Sequence, residues 1–207
     1  MRKVFLMAVG ICLTMLLTGA CEQKAPQASG KCRIHGTISQ QLNEKRIFLV
    51  PLYGPKTAEY VDSIEIKDGK FEFATDTLMM AQILVDYHYR MGIQPLLVVT
   101  EAGDVQVTIG AESSATGTPQ NDSLQHWKEL TEVHQAQLSQ LREAGKKAEA
   151  DSLHMAYKQL TRQMAQQMEG TLLGDFLAQM YPKTYIRQYP DGHEVTFNAD
   201  TNEPITE

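Results

Sequence analysis

The sequence is poor in cysteine and in long apolar runs. Its 207 residues include three cysteines, Cys12, Cys21 and Cys32, and no CxxC pair. A self-contained dithiol reaction needs both an attacking and a resolving cysteine, so we expect no such activity from this chain. After residue 20 there is no run of 18 apolar residues that would predict a membrane-spanning helix.

Positive charge is also scarce. The chain has 19 basic and 25 acidic residues, and no run of more than two basic residues occurs. Residues 1–20 contain Arg2, Lys3 and no acid, so without them the balance is 17 against 25, a net charge of −8. Since phosphate neutralisation needs a basic face, the composition argues against nucleic acid as a partner. With 43% apolar and 21% charged residues, the chain can still bury a core.

The first twenty residues have the pattern of a secretory leader. Two basic residues precede a mostly apolar run over 4–17, which is short for a membrane span. The run ends in Leu17-Thr18-Gly19-Ala20-Cys21, which resembles the lipobox of bacterial lipoproteins. In that family the cysteine becomes the first mature residue and carries the lipid. We therefore predict a signal peptide over 1–20 and lipidation at Cys21.

An ordinary signal peptide followed by an unrelated cysteine is the alternative, because Thr18 stands where the lipobox usually has Leu or Val. Residues 21–30 are polar, with Pro26 and Gly30, and are predicted to be a flexible tether. The expected location is then the cell envelope, with the chain held to a bacterial membrane by its N-terminal lipid.

Cys32 has two interpretations. It begins an apolar alternating segment, which favours a buried small side chain. The alternative is a thiol that forms mixed disulfides with a partner protein.

Residues 31–118 have the pattern of an antiparallel β-sandwich. Apolar residues alternate with polar ones, and turn residues recur at close intervals. Asp68-Gly69 predicts a tight hairpin turn with positive φ. The pattern predicts about seven strands, over 32–38, 47–52, 61–66, 71–73, 81–89, 94–99 and 105–109.

A set of short motifs in this part resembles a known family. In chain order they are His35-Gly36-Thr37-Ile38, Val50-Pro51-Leu52, Val61-Asp62-Ser63, Asp68-Gly69-Lys70-Phe71-Glu72-Phe73, Glu101-Ala102-Gly103-Asp104-Val105 and Gly117-Thr118-Pro119-Gln120-Asn121-Asp122. Together, over about residues 31–124, they resemble domain of unknown function 4369, the N-terminal part of many Bacteroidota thioredoxin-like lipoproteins. In fused relatives a thioredoxin-like domain with a CxxC follows the helices. This sequence ends first, so we expect the oxidoreductase activity not to carry over.

Residues 119–182 are predicted to be helical, with Asn121 or Asp122 as the N-terminal cap. Gly145 favours an αα-hairpin, and one continuous helix is the alternative. A short third helix follows Gly170 and ends before Pro182. The predicted apolar faces are Leu124, Trp127, Leu130, Val133, Leu138 and Leu141 for the first helix, and Leu153, Tyr157, Leu160, Met164 and Met168 for the second.

The region 183–207 is predicted to hold a short β-hairpin around Pro190-Asp191-Gly192, followed by a disordered tail over 200–207. The fold class is therefore α+β: an N-terminal β-sandwich, a helical hairpin and a C-terminal β-hairpin.

No enzyme or metal motif has the required spacing. His126 and His134 are eight residues apart, about 12 Å along one helix at ~1.5 Å per residue, too far to share a metal. His88 has no histidine near it on its predicted strand. We therefore predict no metal, no cofactor and no catalytic site.

Two functional classes stay open. The favoured one is a membrane-tethered, non-catalytic binding or assembly module with a protein partner. The alternative is an accessory of thiol-disulfide exchange that works with a separate thioredoxin-like protein, through Cys32 or through docking alone. The sequence predicts no oligomeric state.

Overall fold

The computed structural model describes residues 30–85 and 95–205 of the chain. It confirms the α+β class, with strands in two sheets, then helices, then a two-stranded C-terminal sheet. The elements are β1 (Cys32–Thr37), β2 (Arg46–Pro51), β3 (Asp62–Glu65), β4 (Lys70–Thr75), β5 (Met80–Val85), β6 (Leu96–Val99), β7 (Gly103–Thr108), β8 (Ser114–Thr116), α1 (Pro119–Glu143), α2 (Lys147–Gln167), α3 (Leu172–Met180), β9 (Thr184–Gln188) and β10 (Glu194–Asn198).

The first sheet has the order β4-β1-β7-β8 and the second has the order β3-β2-β5-β6. The neighbours pair antiparallel except β1 and β7, which run parallel from Cys32 opposite Gly103 to Thr37 opposite Thr108. The purely antiparallel expectation missed this pair, because the chain crosses the whole second sheet between the two strands. It also missed β8. The parts of two predicted strands over 86–89 and at residue 94 lie outside the described residues.

The predicted turn at Asp68-Gly69 is present, but it joins the two sheets. Lys67 and Lys70 exchange both backbone hydrogen bonds, and φ is 51° at Asp68 and 68° at Gly69, as a type I′ turn requires. Beyond this single bridged pair, β3 and β4 separate, because β3 pairs with β2 in one sheet and β4 pairs with β1 in the other. The turn is therefore a corner of the sandwich and does not close an extended hairpin.

The core between the sheets is aliphatic and phenyl. Every second residue of β1, β4 and β7 points into it, which explains the alternating pattern of the sequence. Ile34, Ile47, Ile66 and Val105 are fully buried. Gly36 gives space to the ring of Phe71, which occupies the volume that any side chain at position 36 would need.

The helices form the predicted hairpin, with the bend at Gly145, where φ is 70°. Leu124, Trp127 and Leu138 lie on the buried face of α1, as predicted. Val133 and Leu160 were expected on the buried faces and are 56% and 40% exposed. The next residue is buried in each helix, His134 in α1 and Thr161 in α2. The seam between the helices is therefore more polar than the apolar pattern predicted.

The helices cover part of the outer face of the second sheet. Met80 and Val99 from that sheet pack with Trp127 of α1 and with Phe176 and Leu177 of α3. Met164 and Met168, predicted on the apolar face of the second helix, pack against this cluster. Met180, at the end of α3, is 46% exposed. The molecule thus has three layers, which are sheet, sheet and helices.

The C-terminal hairpin is confirmed by β9 and β10, which pair antiparallel. The prediction of disorder after residue 199 is wrong for residues 200–205. Asp200 bonds to Lys158 and Arg162 of α2, and the Ile205 N–H donates to the Thr196 carbonyl. A charged tail can be ordered when its carboxylate meets cations on a preformed helix.

Candidate functional site

The exposed face of the first sheet carries a groove of about 470 Å³ near the corner turn. His35 and Thr37 of β1 lie opposite Glu72 and Lys70 of β4, and Gln106 of β7 lies on the other side of His35. These residues share one face because side chains alternate along each strand, and the inward positions between them belong to the core. The other lining residues are Gly36, Ile64, Glu65, Lys67 and Phe71.

His35 lies between two carboxylates. Its Nδ1 is 3.6 Å from a Glu72 oxygen and its Nε2 is 3.4 Å from Asp104 Oδ1. The side chains are 39%, 61% and 62% exposed, so these contacts are solvent-screened and contribute little stability. The two ring nitrogens point to opposite sides, so His35 cannot bring both carboxylates to one metal ion. The arrangement orients the imidazole on a polar surface and offers both donors and acceptors to a ligand.

The groove carries both signs of charge at its rim. Lys67 and Lys70 flank the corner turn, and Glu65 and Glu72 lie beside them. Ile64 and Phe71 supply apolar lining. An apolar centre with a charged rim is a common arrangement in protein–protein interfaces. In such interfaces the choice of partner depends on complementary charges more than on the buried area.

The groove lies away from the point where the chain enters the fold. The described chain reaches the first sheet at Cys32, which pairs with Thr75 and Gly103. Thr37 and Lys70 are at the other end of the same strands, roughly 16 Å away at ~3.3 Å per residue. A partner could therefore approach the groove from the side opposite the N-terminal segment.

Cys32 lies in the core. It is 1% exposed and is a free cysteine. Burial, followed by the nearby charges of Glu101 and Asp104, raises the pKa of its thiol to about 11. A thiol with this pKa is almost fully protonated at neutral pH, and the thiolate is the species that attacks disulfides. The structure therefore weakens the interpretation of Cys32 as a thiol for a partner.

The motif at 117–122 joins the two regions of the molecule. Thr118 is the N-terminal cap of α1, so the expectation of a cap at Asn121 or Asp122 is wrong. Asn121 is fully buried and makes both hydrogen bonds of a strand partner with Val99, accepting from its N–H at 2.9 Å and donating to its carbonyl at 2.7 Å. Asp122 accepts from the Gly117 N–H at 2.7 Å.

The neighbouring Gln120 extends this junction. Its backbone N–H and its side-chain amide both donate to Glu101, at 2.6 and 3.0 Å, and its own oxygen accepts from the Leu173 N–H. The amide and carboxylate groups of this cluster thus bond to one another and to the backbone, which gives the motif a structural role. Of the motifs noted in the sequence, this one holds the helices against the sheets.

The two histidines considered for a metal, His126 and His134, differ in their exposure to solvent. His126 is exposed, whereas His134 is buried against α2. The described residues contain no group of three or more His, Cys, Asp or Glu side chains placed to hold a metal ion. His88 and the predicted lipidation residue Cys21 both lie outside the described residues.

Sequence reasoning missed the groove, because residues of four separate strands, β1, β3, β4 and β7, line it. His35 and Gln106 are 71 positions apart, and the only signal was the polar half of each alternating pattern.

Within the described residues, no helix has the length and apolar character needed to cross a bilayer.

The comparisons with known proteins concern the first half of the molecule. Residues 32–124 match the family described as a domain of unknown function, DUF4369. The match spans all eight strands of the sandwich and ends within α1, so it includes the groove and the junction at 117–122. No curated protein and no solved structure matches the chain significantly.

Proposed function

We propose that the chain is a lipid-anchored lipoprotein of the bacterial envelope that acts as a non-catalytic binding or assembly module. The observation that carries the binding role is the groove beside the corner turn, with its mixed charges around Ile64 and Phe71. It is built on paired strands, so the backbone positions of its residues are fixed before a ligand arrives.

The sequence Leu17-Thr18-Gly19-Ala20-Cys21 supports the anchor, and the position of the groove is compatible with it. Nine residues separate Cys21 from Lys31, and ten links of extended chain reach at most about 35 Å. An anchor at Cys21 would thus hold the Cys32 end of the sandwich within about 35 Å of the bilayer. The groove, at the other end of the same strands, would be accessible to partners in the same compartment.

Replacing Cys21 tests the anchor. We expect Cys21→Ser to release the chain from membranes or to block leader processing, since the fold itself offers no spanning helix among its described residues. Membrane flotation and the mass of the mature N-terminus measure this, with Cys12→Ser as a matched control inside the leader. Unchanged partitioning and processing of Cys21→Ser would contradict the anchor.

Photo-crosslinking tests the groove. With a benzophenone amino acid at Gln106, we expect one discrete adduct to form in native cells. The same amino acid at Gln159, exposed on α2, is the control and should not give that adduct. Lys70→Glu should lower the yield of the adduct at least fivefold by reversing the charge at the rim, while Lys147→Glu on α2 should not. Equal yields from both sites, or no effect of Lys70→Glu, would contradict binding at the groove.

The alternative role in thiol-disulfide exchange receives no support from the position of Cys32. It would need a thioredoxin-like protein to dock without a thiol from this chain. Mass spectrometry of the Gln106 adduct distinguishes the two, because a thioredoxin-like protein would be recognised by its sequence. Cys32→Ala should leave the adduct unchanged whether or not the partner is thioredoxin-like, because docking alone uses no thiol of this chain.

A further inference from the structure

The seam of the helical hairpin contains a buried histidine without hydrogen bonds. His134 of α1 is 4% exposed, and neither of its ring nitrogens has a partner within the described part of the chain. The Nδ1 atom of His154, on α2, is also buried and without a partner there. Buried polar atoms are almost always paired, so a cluster of three such nitrogens calls for an explanation.

The rings around His134 form a stack. Its ring lies 4.1 Å from that of Tyr157 at an angle of 11°, and 5.5 Å from that of His154 at 30°. Tyr181 meets Tyr157 and His154 edge-on, at 5.7 and 6.2 Å. We call these four residues the aromatic stack.

The stack does not fit a metal ion. The lone pairs of an imidazole lie in the plane of its ring, so nearly parallel rings direct their nitrogens past one another and not towards a common point. Burial of both ring nitrogens without a hydrogen-bond acceptor among the described residues instead favours the neutral form of His134. Burial, with smaller effects from His154 and from Arg142 on α1, lowers the pKa of His134.

Charged groups of both signs lie near the stack in the sequence: Glu132 and Arg142 on α1, and Asp151, Lys158 and Arg162 on α2. Glu132 and Asp151 are exposed, and Glu132 pairs with Lys128. Lys158 and Arg162 are both bonded to Asp200. These two cations hold the pKa of Asp200 at about 2, so this carboxylate stays ionised and paired well below neutral pH. It is therefore committed elsewhere and does not balance a charge on His134.

Tyr181 connects the stack to the C-terminal ribbon, which we define as residues 183–205. It directly follows α3 and precedes β9. Arg162 holds this connection by donating to the carbonyls of Tyr181 and Pro182, at 2.9 and 2.8 Å. The ribbon and the two residues that lead into it thus have three attachments to the helices: the aromatic stack, the bonds from Arg162 to Tyr181 and Pro182, and the Asp200 ion pairs.

We propose that the aromatic stack is an acid-sensitive latch: a proton taken up by His134 breaks the stack, frees Tyr181 and loosens the start of the C-terminal ribbon. The sandwich and the Asp200 ion pairs stay in place. Above about pH 7.5 both folded and unfolded His134 are neutral, and the latch is at full strength. As the pH falls through ~6.5 the unfolded form gains a proton that the folded form resists, so stability is lost down to the lower folded pKa.

The titration of the wild-type chain tests the premise. In detergent, NMR of the full chain should show His134 remaining neutral to a pH well below the ordinary pKa of a histidine, ~6.5. A His134 midpoint at that ordinary value would overturn the proposal without any variant.

Substitution tests the latch itself. His134→Phe keeps a ring on Tyr157 and cannot take up a proton, and His126→Phe is the matched control. Between pH 7.5 and 5, the unfolding equilibrium constant of the wild type and of His126→Phe should rise more than that of His134→Phe. The excess should be roughly tenfold for each unit by which the pKa is lowered.

Amide exchange at pH 5 locates the effect. At this one pH, residues 181–188 should exchange at least fivefold faster in the wild type than in His134→Phe, while residues 32–37 of β1 should exchange equally in both. Equal exchange at 181–188, or a uniform increase that includes β1, would overturn the latch. So would a His126→Phe chain that behaves like His134→Phe.

Discussion

The sandwich and the helical hairpin fill their interiors differently. Between the sheets, the fully buried side chains are aliphatic, such as Ile34, Ile47 and Val105. In α1 and α2 the buried residues include aliphatic ones such as Leu138 and Ala165, but also polar and aromatic ones, with Trp127 donating to Thr161 and the stack on His134. The sandwich core therefore depends mainly on the area removed from water, whereas the seam depends on hydrogen bonds and on the charge state of its rings.

At the junction of the two regions, the side chain of Asn121 makes the backbone hydrogen bonds that a neighbouring β-strand would make. Asn121 satisfies the N–H and the carbonyl of Val99 on β6, the last strand of the second sheet among the described residues, and donates to Thr118. It thus ties α1 to the sheet. The comparison predicts that this junction is where the two regions can be separated.

Asn121→Ala should have the largest effect. It leaves both backbone groups of Val99 buried without a partner, at about 1 to 3 kcal/mol each, so we expect a loss of about 4 kcal/mol in the free energy of unfolding. Denaturant titration followed by Trp127 fluorescence and by the NMR methyl signals of Ile34 and Ile47 in the sandwich core measures it. Because Trp127 lies on the helical side of the junction, its transition should move to lower denaturant than that of the strands.

The control for this substitution is the adjacent residue. Asp122→Ala removes one exposed bond to the Gly117 N–H and should cost less than about 1 kcal/mol. If Asn121→Ala were no more destabilising than Asp122→Ala, or if both probes moved together, the junction would not be a separate point of weakness.

Much of the fold was predictable because it depends on local chemistry. The positive φ at Gly69 and Gly145 explains why these residues marked a turn and a bend. Cys32 belonged to an alternating pattern, and its burial followed from that pattern. Each of these features is set by a few neighbouring residues, which a single sequence contains in full.

The features that were missed depend on distant partners. Nothing near Asp68 shows that β3 and β4 belong to different sheets, because the pairing of each strand is chosen by residues elsewhere in the chain. Similarly, Val133 fits the apolar pattern of α1 better than His134, but the ring of Tyr157 on α2 selects His134 for the seam. Four strands line the groove, so its residues could be assigned to it only after those strands were paired.

A smaller effect, within the sandwich alone, is expected from Gly69→Val. A side chain at this corner meets two obstacles. The φ angle of Gly69 is 68°, and a Cβ there would lie 2.7 Å from the Ile38 carbonyl oxygen. Ile38 is itself held to the corner, because its N–H donates to the Gly69 carbonyl. We expect a loss of about 2 kcal/mol in the free energy of unfolding, measured by denaturant titration.

Gly54 offers a matched control, because its φ is 88° and nothing lies within 4 Å of a Cβ built there. Gly54→Val should therefore show the backbone strain alone, about 1 kcal/mol. Since the corner at Gly69 lies on the sheet side, both transitions of the two-probe titration should shift together, in contrast with Asn121→Ala. Equal losses for the two glycine variants would mean that the contact with Ile38 contributes nothing, and the corner would then be an ordinary turn that the sandwich can adjust.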